Sequence, residues 1–92
     1  MRSLQWETID EMLVKLAKRV QNIRKRKKLS QEELAEISGV SFGSVKRFET
    51  TGNISLISLT KIAVVLDCAD EIRNMFSNIE YKDIEELLNE QK

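Results

Sequence analysis

Apolar residues recur at three- and four-residue steps along most of the chain, which predicts helices nearly throughout. Ile9, Met12, Leu13, Leu16, Ala17, Val20 and Ile23 form one stripe on a long first helix, from about Thr8 to Lys28. Thr8 and Glu11 have capping-box spacing, in which each side chain satisfies the other residue's backbone amide. Trp6, just outside that cap, is expected to pack as a staple. A second box, Ser30 with Glu33, opens a helix whose buried side is Leu34, Ala35 and Ile37. Gly39 follows directly, a residue that tolerates the left-handed stop of a helix. Ser41 then caps a third helix, Ser41 to Glu49, with Val45 and Phe48 facing inward. Two short helices joined by about three residues around a glycine have the spacing of a helix-turn-helix unit, at about 31–49.

Ser55 caps the next segment, "LISLTKIAVVLD". Its face of Leu56, Leu59, Ile62, Ala63 and Leu66 is widened by Ile57, Val64 and Val65, so it is expected at the centre of the core. Cys68 reads as a small buried hydrophobe. "ADEIRNMFSNI" predicts a fifth helix packing through Ile72, Met75, Phe76 and Ile79. The end of the chain, "YKDIEELLNEQK", is amphipathic and acidic, and too short to be stable alone. Its stripe of Ile84, Leu87 and Leu88 is expected to dock on this domain, a second copy or a partner. The organisation is therefore one domain over 1–78 and an acidic helical tail over 79–92.

With 92 residues the chain has room for one modest core, and its 41% hydrophobic content suits a folded globule. The absence of proline favours long periodic segments over many short strands. Net charge is zero, which at first argues against a polyanionic partner. The distribution reverses that: residues 1–66 carry twelve Lys/Arg against seven Asp/Glu, and residues 67–92 carry three against eight. A local basic face matters more to a polyanion than the sum does. The single cysteine excludes a disulfide scaffold and suits a reducing cytoplasm. No apolar run approaches a membrane span, and the acids in "MRSLQWETIDEML" are unlike a signal peptide.

Without histidine there is no Ser-His-Asp or Cys-His arrangement, and with one cysteine there is no zinc site. The three glycines are scattered, so no phosphate-cradling loop exists. An enzyme, a cofactor, a metal and a small-molecule substrate are all unexpected.

What remains is the outward side of the third helix, where Phe42, Gly43, Lys46, Arg47 and Thr50 share a face. Lys and Arg donate to guanine O6 and N7 in the major groove, and Phe42 offers apolar contact to a thymine methyl. Gly43 lets the backbone approach a duplex closely. An idle solvated face accounts for Lys46 and Arg47, but not for Phe42 and Gly43 together. Gln31, at the positive start of the preceding helix, is placed for a phosphate. Ser41, Ser44, Thr50, Thr51 and Asn53 are further phosphate donors, with Ser55 in the same polar loop. The run "RKRKK", Arg24 to Lys28, reads equally as helix-ending cations or as a phosphate-seeking patch.

From Leu16 to about Phe76 the chain resembles the Cro-like, XRE-type phage-repressor helix-turn-helix family. The marks are Arg24 in "IR", "LSQEELA", Ala35, Gly39, "VS", Val45 and Glu49. The resemblance implies an all-α, compact five-helix lambda-repressor-like domain, here with a long first helix and an extra C-terminal helix. It implies that the third helix enters the major groove of double-stranded DNA, and that Arg24 and Glu49 form a buried structural salt bridge. Lys25 to Lys28 then remain for backbone attraction, with Lys27 and Lys28 as expected phosphate contacts. It also implies that Gln31 meets phosphate and that Phe42, Gly43 and Arg47 read bases. Glutamines common at the first two reading positions are replaced here by Phe42 and Gly43, so no operator sequence carries over. The flanks "QWETIDEMLVKLAKRV" and "SLISLTKIAVVLDC", with "RFETTG", resemble HipB-like antitoxin autorepressors. That implies a homodimer, interfacing through the tail or the fifth helix, and a HipA-like kinase toxin as a partner.

Overall fold

The structure is a computed structural model and describes residues 6–78 and 88–89. Five helices follow in order: α1 (Ile9–Arg26), α2 (Gln31–Ser38), α3 (Phe42–Thr51), α4 (Leu56–Val65) and α5 (Ala69–Arg73). No strand occurs among the described residues.

The boundaries follow from capping chemistry. The Thr8 hydroxyl accepts from the Glu11 amide at 3.0 Å, while the Thr8 amide donates to the Glu11 carboxylate at 2.9 Å. Ser30 and Glu33 repeat the exchange at 3.0 and 2.8 Å. Ser41 and Ser55 each accept from the amide three residues on, at 3.1 Å. These caps satisfy amides that would otherwise lack partners at a helix start. Gly39 closes α2 in the left-handed region, with φ 78°, and only three residues separate Ser38 from Phe42.

That turn sets α2 against α3 over α4. Leu34, Ala35, Val40, Val45, Ile62 and Leu66 form the buried centre, with Val20, Ile23, Leu29, Ile54, Val65 and Cys68 packed around it. Phe48 and Ala17 are also buried, and α1 lies across α3.

Several expected packing residues lie elsewhere. Helix α1 extends beyond the core, so Trp6 is 80% exposed and packs as no staple, and Ile9 and Met12 are exposed too. Ile37 faces solvent, because α2 is only eight residues long and Leu34 and Ala35 take its inner side. Helix α4 is apolar nearly all round but contributes only one side to the core, leaving Leu56, Ile57 and Val64 exposed. Helix α5 ends at Arg73, and Phe76 adopts a left-handed φ of 61°. Phe76 is 90% exposed rather than packed. Ile79, Ile84 and Leu87 lie outside the described residues. Leu88 is helical and exposed.

Candidate nucleic-acid interface

The third helix owes its orientation to one carboxylate. Glu49, on the inner side of α3, accepts from Arg24 Nε at 2.7 Å and from Arg24 Nη2 at 3.0 Å. It also accepts from Gln31 Nε2 at 2.7 Å and Gln21 Nε2 at 3.1 Å. Arg24 Nη1 in turn donates to the Leu29 carbonyl at 2.6 Å, bracing the α1–α2 connection. The ion-paired side chains are 8% and 2% exposed, respectively. Thus α1 and α2 both fasten to α3 through Glu49. Gln21 is the member that the sequence reading missed. The available signal is a polar residue one turn before Arg24, on the same face of α1.

Burial pushes the Glu49 carboxyl up, but the hydrogen bonds from Arg24, Gln31 and Gln21, with the guanidinium charge, outweigh it and hold its pKa below the ordinary value. A lowered native pKa gives stability that is present above the unfolded carboxyl's value, about 4.3, and is lost as pH falls through the native value. Thermal melts of the wild type and Glu49→Gln should therefore differ most near neutrality. They should converge as the pH drops from about 4.3 toward and past the native value, where Glu49 is itself neutral. A pH-independent gap between them would mean that the charge contributes nothing.

On the same helix, Phe42, Gly43, Lys46 and Arg47 are all exposed. Phe42 is 42% exposed, and the Lys46 ammonium sits 5.5 Å from its ring centroid, a cation–π pair across one turn. A Cβ added to Gly43 would meet nothing within 4 Å, so the space above the tip is open. No acid among the described residues pairs with Lys46 or Arg47.

The expected phosphate donors divide. Ser41 donates to the Ser44 hydroxyl at 2.8 Å, placing both at the start of α3 beside Phe42. Helix α3 runs two residues past Glu49, so Thr50 and Thr51 are helical rather than in a loop. Their hydroxyls donate to the carbonyls of Lys46 and Arg47, at 3.0 and 2.7 Å, and in this arrangement offer no hydrogen to a phosphate. This is the back-bonding common to threonines within helices. The Asn53 amide donates to Thr51 at 3.1 Å, and its side chain is exposed. Lys27 pairs with Asp67, beyond α4, at 3.1 Å, so its charge is held there. Lys28 begins the turn into α2 with a φ of 62° and is exposed. Gln31 gives one amide hydrogen to Glu49, and Ser30 takes the amide of Glu33, which leaves the backbone amides of Gln31 and Glu32 without a helical acceptor.

A capped pair of helices, a three-residue glycine turn and an outward basic face thus sit on an all-helical core. Residues 20–71, more than half of the chain, match the Helix-turn-helix family. The chain belongs to the XRE/Cro-like helix-turn-helix family. The match makes this a DNA-binding domain of the transcriptional-regulator type. No curated protein is significantly similar to the chain. The helix-turn-helix match starts within α1, so the first turns of that helix, with Trp6, Ile9 and Met12, lie outside it. No helix among the described residues is long and apolar enough to cross a membrane.

Proposed function

We propose that the protein is a sequence-specific, dimeric repressor of transcription that reads the major groove with α3 and acts on its own promoter. The observation that carries this reading is the exposed face of Phe42, Gly43, Lys46 and Arg47 on the helix that Glu49 fastens to α1 and α2. Lys46 and Arg47 donate to base edges, and Ser41, Ser44, Asn53, Lys28 and the start of α2 at Gln31 hold phosphates. The partner is double-stranded DNA, bound as two half-sites about 34 Å apart by two copies of the chain. The exposed Met75 and Phe76, together with the tail stripe of Ile84, Leu87 and Leu88 in the sequence, supply the apolar surface for that dimer.

Selection of preferred duplexes from a random pool, followed by affinity measurements on the winners, tests this reading. Affinity should fall about tenfold or more over a fourfold rise in salt, through counterion release. Arg47→Ala should cost about 1–3 kcal/mol on the preferred site and relax preference at one or two positions. Gln31→Ala should weaken all sequences more evenly. Equal affinity for the chain's own promoter and random duplex at moderate salt would sink the proposal.

A second reading takes the protein as an antitoxin whose main task is to hold a partner such as a HipA-like kinase. The exposed apolar residues on the first turns of α1 favour it, because they lie beyond the core and outside the helix-turn-helix match. Such an apolar interface would respond little to salt, which separates it from DNA binding.

A further inference from the structure

We propose that Phe42 and Lys46 act as one unit that reads the C5-methyl group of a pyrimidine beside a guanine, so that the preferred half-site contains a thymine–guanine step. This inference rests on the proposed reading of DNA by α3 and names the base chemistry that its tip selects. Three features of the tip carry it.

Phe42 is the first residue of α3 and is partly exposed, an apolar ring presented on an otherwise polar, cationic surface. In the major groove the only apolar feature of a base pair is the pyrimidine C5-methyl, so an aromatic ring there has one chemical complement. Lys46 lies over the ring with its ammonium 5.5 Å from the centroid. The attraction of a cation for the ring face restrains both side chains, so the ring and the ammonium are presented together. Their separation exceeds one base step of about 3.4 Å by little more than an atomic radius. The ring then meets a methyl on one base while the ammonium meets O6 or N7 of its neighbour. Finally, Gly43 has open space where a side chain would stand, so nothing between the pair and the next turn holds the helix off the base edges.

The geometry distinguishes this pair from a solvated lysine beside a stray aromatic. The Lys46 ammonium lies within cation–π range of the Phe42 ring rather than extended away from it. Arg47, which has no such ring beneath it, serves as a separate donor for another base.

The test uses the full chain and the duplex selected from a random pool. Each thymine is replaced in turn by uracil, which deletes only the methyl, and each neighbouring guanine by 7-deazaguanine, which deletes only the N7 acceptor. We expect one thymine per half-site at which uracil weakens wild-type binding about three- to tenfold. The sensitive guanine should be its immediate neighbour. Placing 5-methylcytosine at the thymine position should bind more tightly than cytosine there. Phe42→Ala should lose the uracil effect and keep the wild-type melting temperature within about 2 °C, because position 42 lies at an exposed helix start. Uracil without effect at every position, while Arg47→Ala still relaxes sequence preference, overturns this inference and leaves the proposed function standing. A uracil effect that persists in Phe42→Ala, or a sensitive guanine more than one step away, overturns it too. Failure to select any preferred duplex overturns both.

Discussion

Glu49→Ala is expected to lower the free energy of unfolding by about 3–5 kcal/mol, the usual consequence of stranding one half of a buried ion pair. Arg24 would keep its position beside the Leu29 carbonyl but lose its only carboxylate partner among the described residues. Gln21 and Gln31 would lose their acceptor at the same time. A chain of this size has only about 5–15 kcal/mol of stability, so the variant should be partly unfolded at physiological temperature. Denaturant titration measures the effect directly. The double variant Arg24→Met, Glu49→Leu should recover a large part of the loss, since apolar replacement of a buried pair is often neutral. If Glu49→Ala lowered DNA affinity yet left the denaturation midpoint unchanged, the carboxylate would be a contact residue and not a fastening of the fold.

Gly52→Ala should be the second damaging change, costing about 2–4 kcal/mol. Two independent reasons combine at this position. Gly52 ends α3 with a φ of 82°, in the region that favours glycine. A Cβ there would also stand 2.6 Å from Leu13 Cβ and 2.7 and 2.8 Å from the Leu13 carbonyl carbon and oxygen. Those last two atoms belong to the α1 backbone and cannot swing aside. Relief requires α1 to lift off the end of α3. Gly39→Ala separates the two causes, because Gly39 has a similar φ of 78° but nothing within 4 Å of its added Cβ. That variant should lose only about 1 kcal/mol. Equal losses at the two glycines would show that the close approach to Leu13 does not matter.

Much of this fold is legible in the sequence because capping is local chemistry. Thr8–Glu11, Ser30–Glu33, Ser41 and Ser55 each announce a helix start within four residues, and the structure places a start at each. The outward position of Phe42, Gly43, Lys46 and Arg47 follows equally from the inward position of Val45 and Phe48. What fails to be legible is anything decided between elements. Periodicity reports that α4 is apolar on several sides but not that neighbours cover only one of them. It likewise extends α5 through Phe76, whereas the helix ends at Arg73 and Phe76 takes a left-handed φ. At Gly52, nothing local discloses that Leu13 leaves no room for a side chain. The Arg24–Glu49 pair, 25 residues apart in sequence, enters through family resemblance rather than spacing, and Gln21 does not enter at all.

The four-donor hold on Glu49 also divides the labour along α3. Every one of these bonds ends on Glu49, so the four exposed residues at 42, 43, 46 and 47 carry no part of that joint. They form an exchangeable cassette. On the proposed reading, the address that this protein answers to can be rewritten at those positions, while the hinge on which the reader is mounted stays as it is.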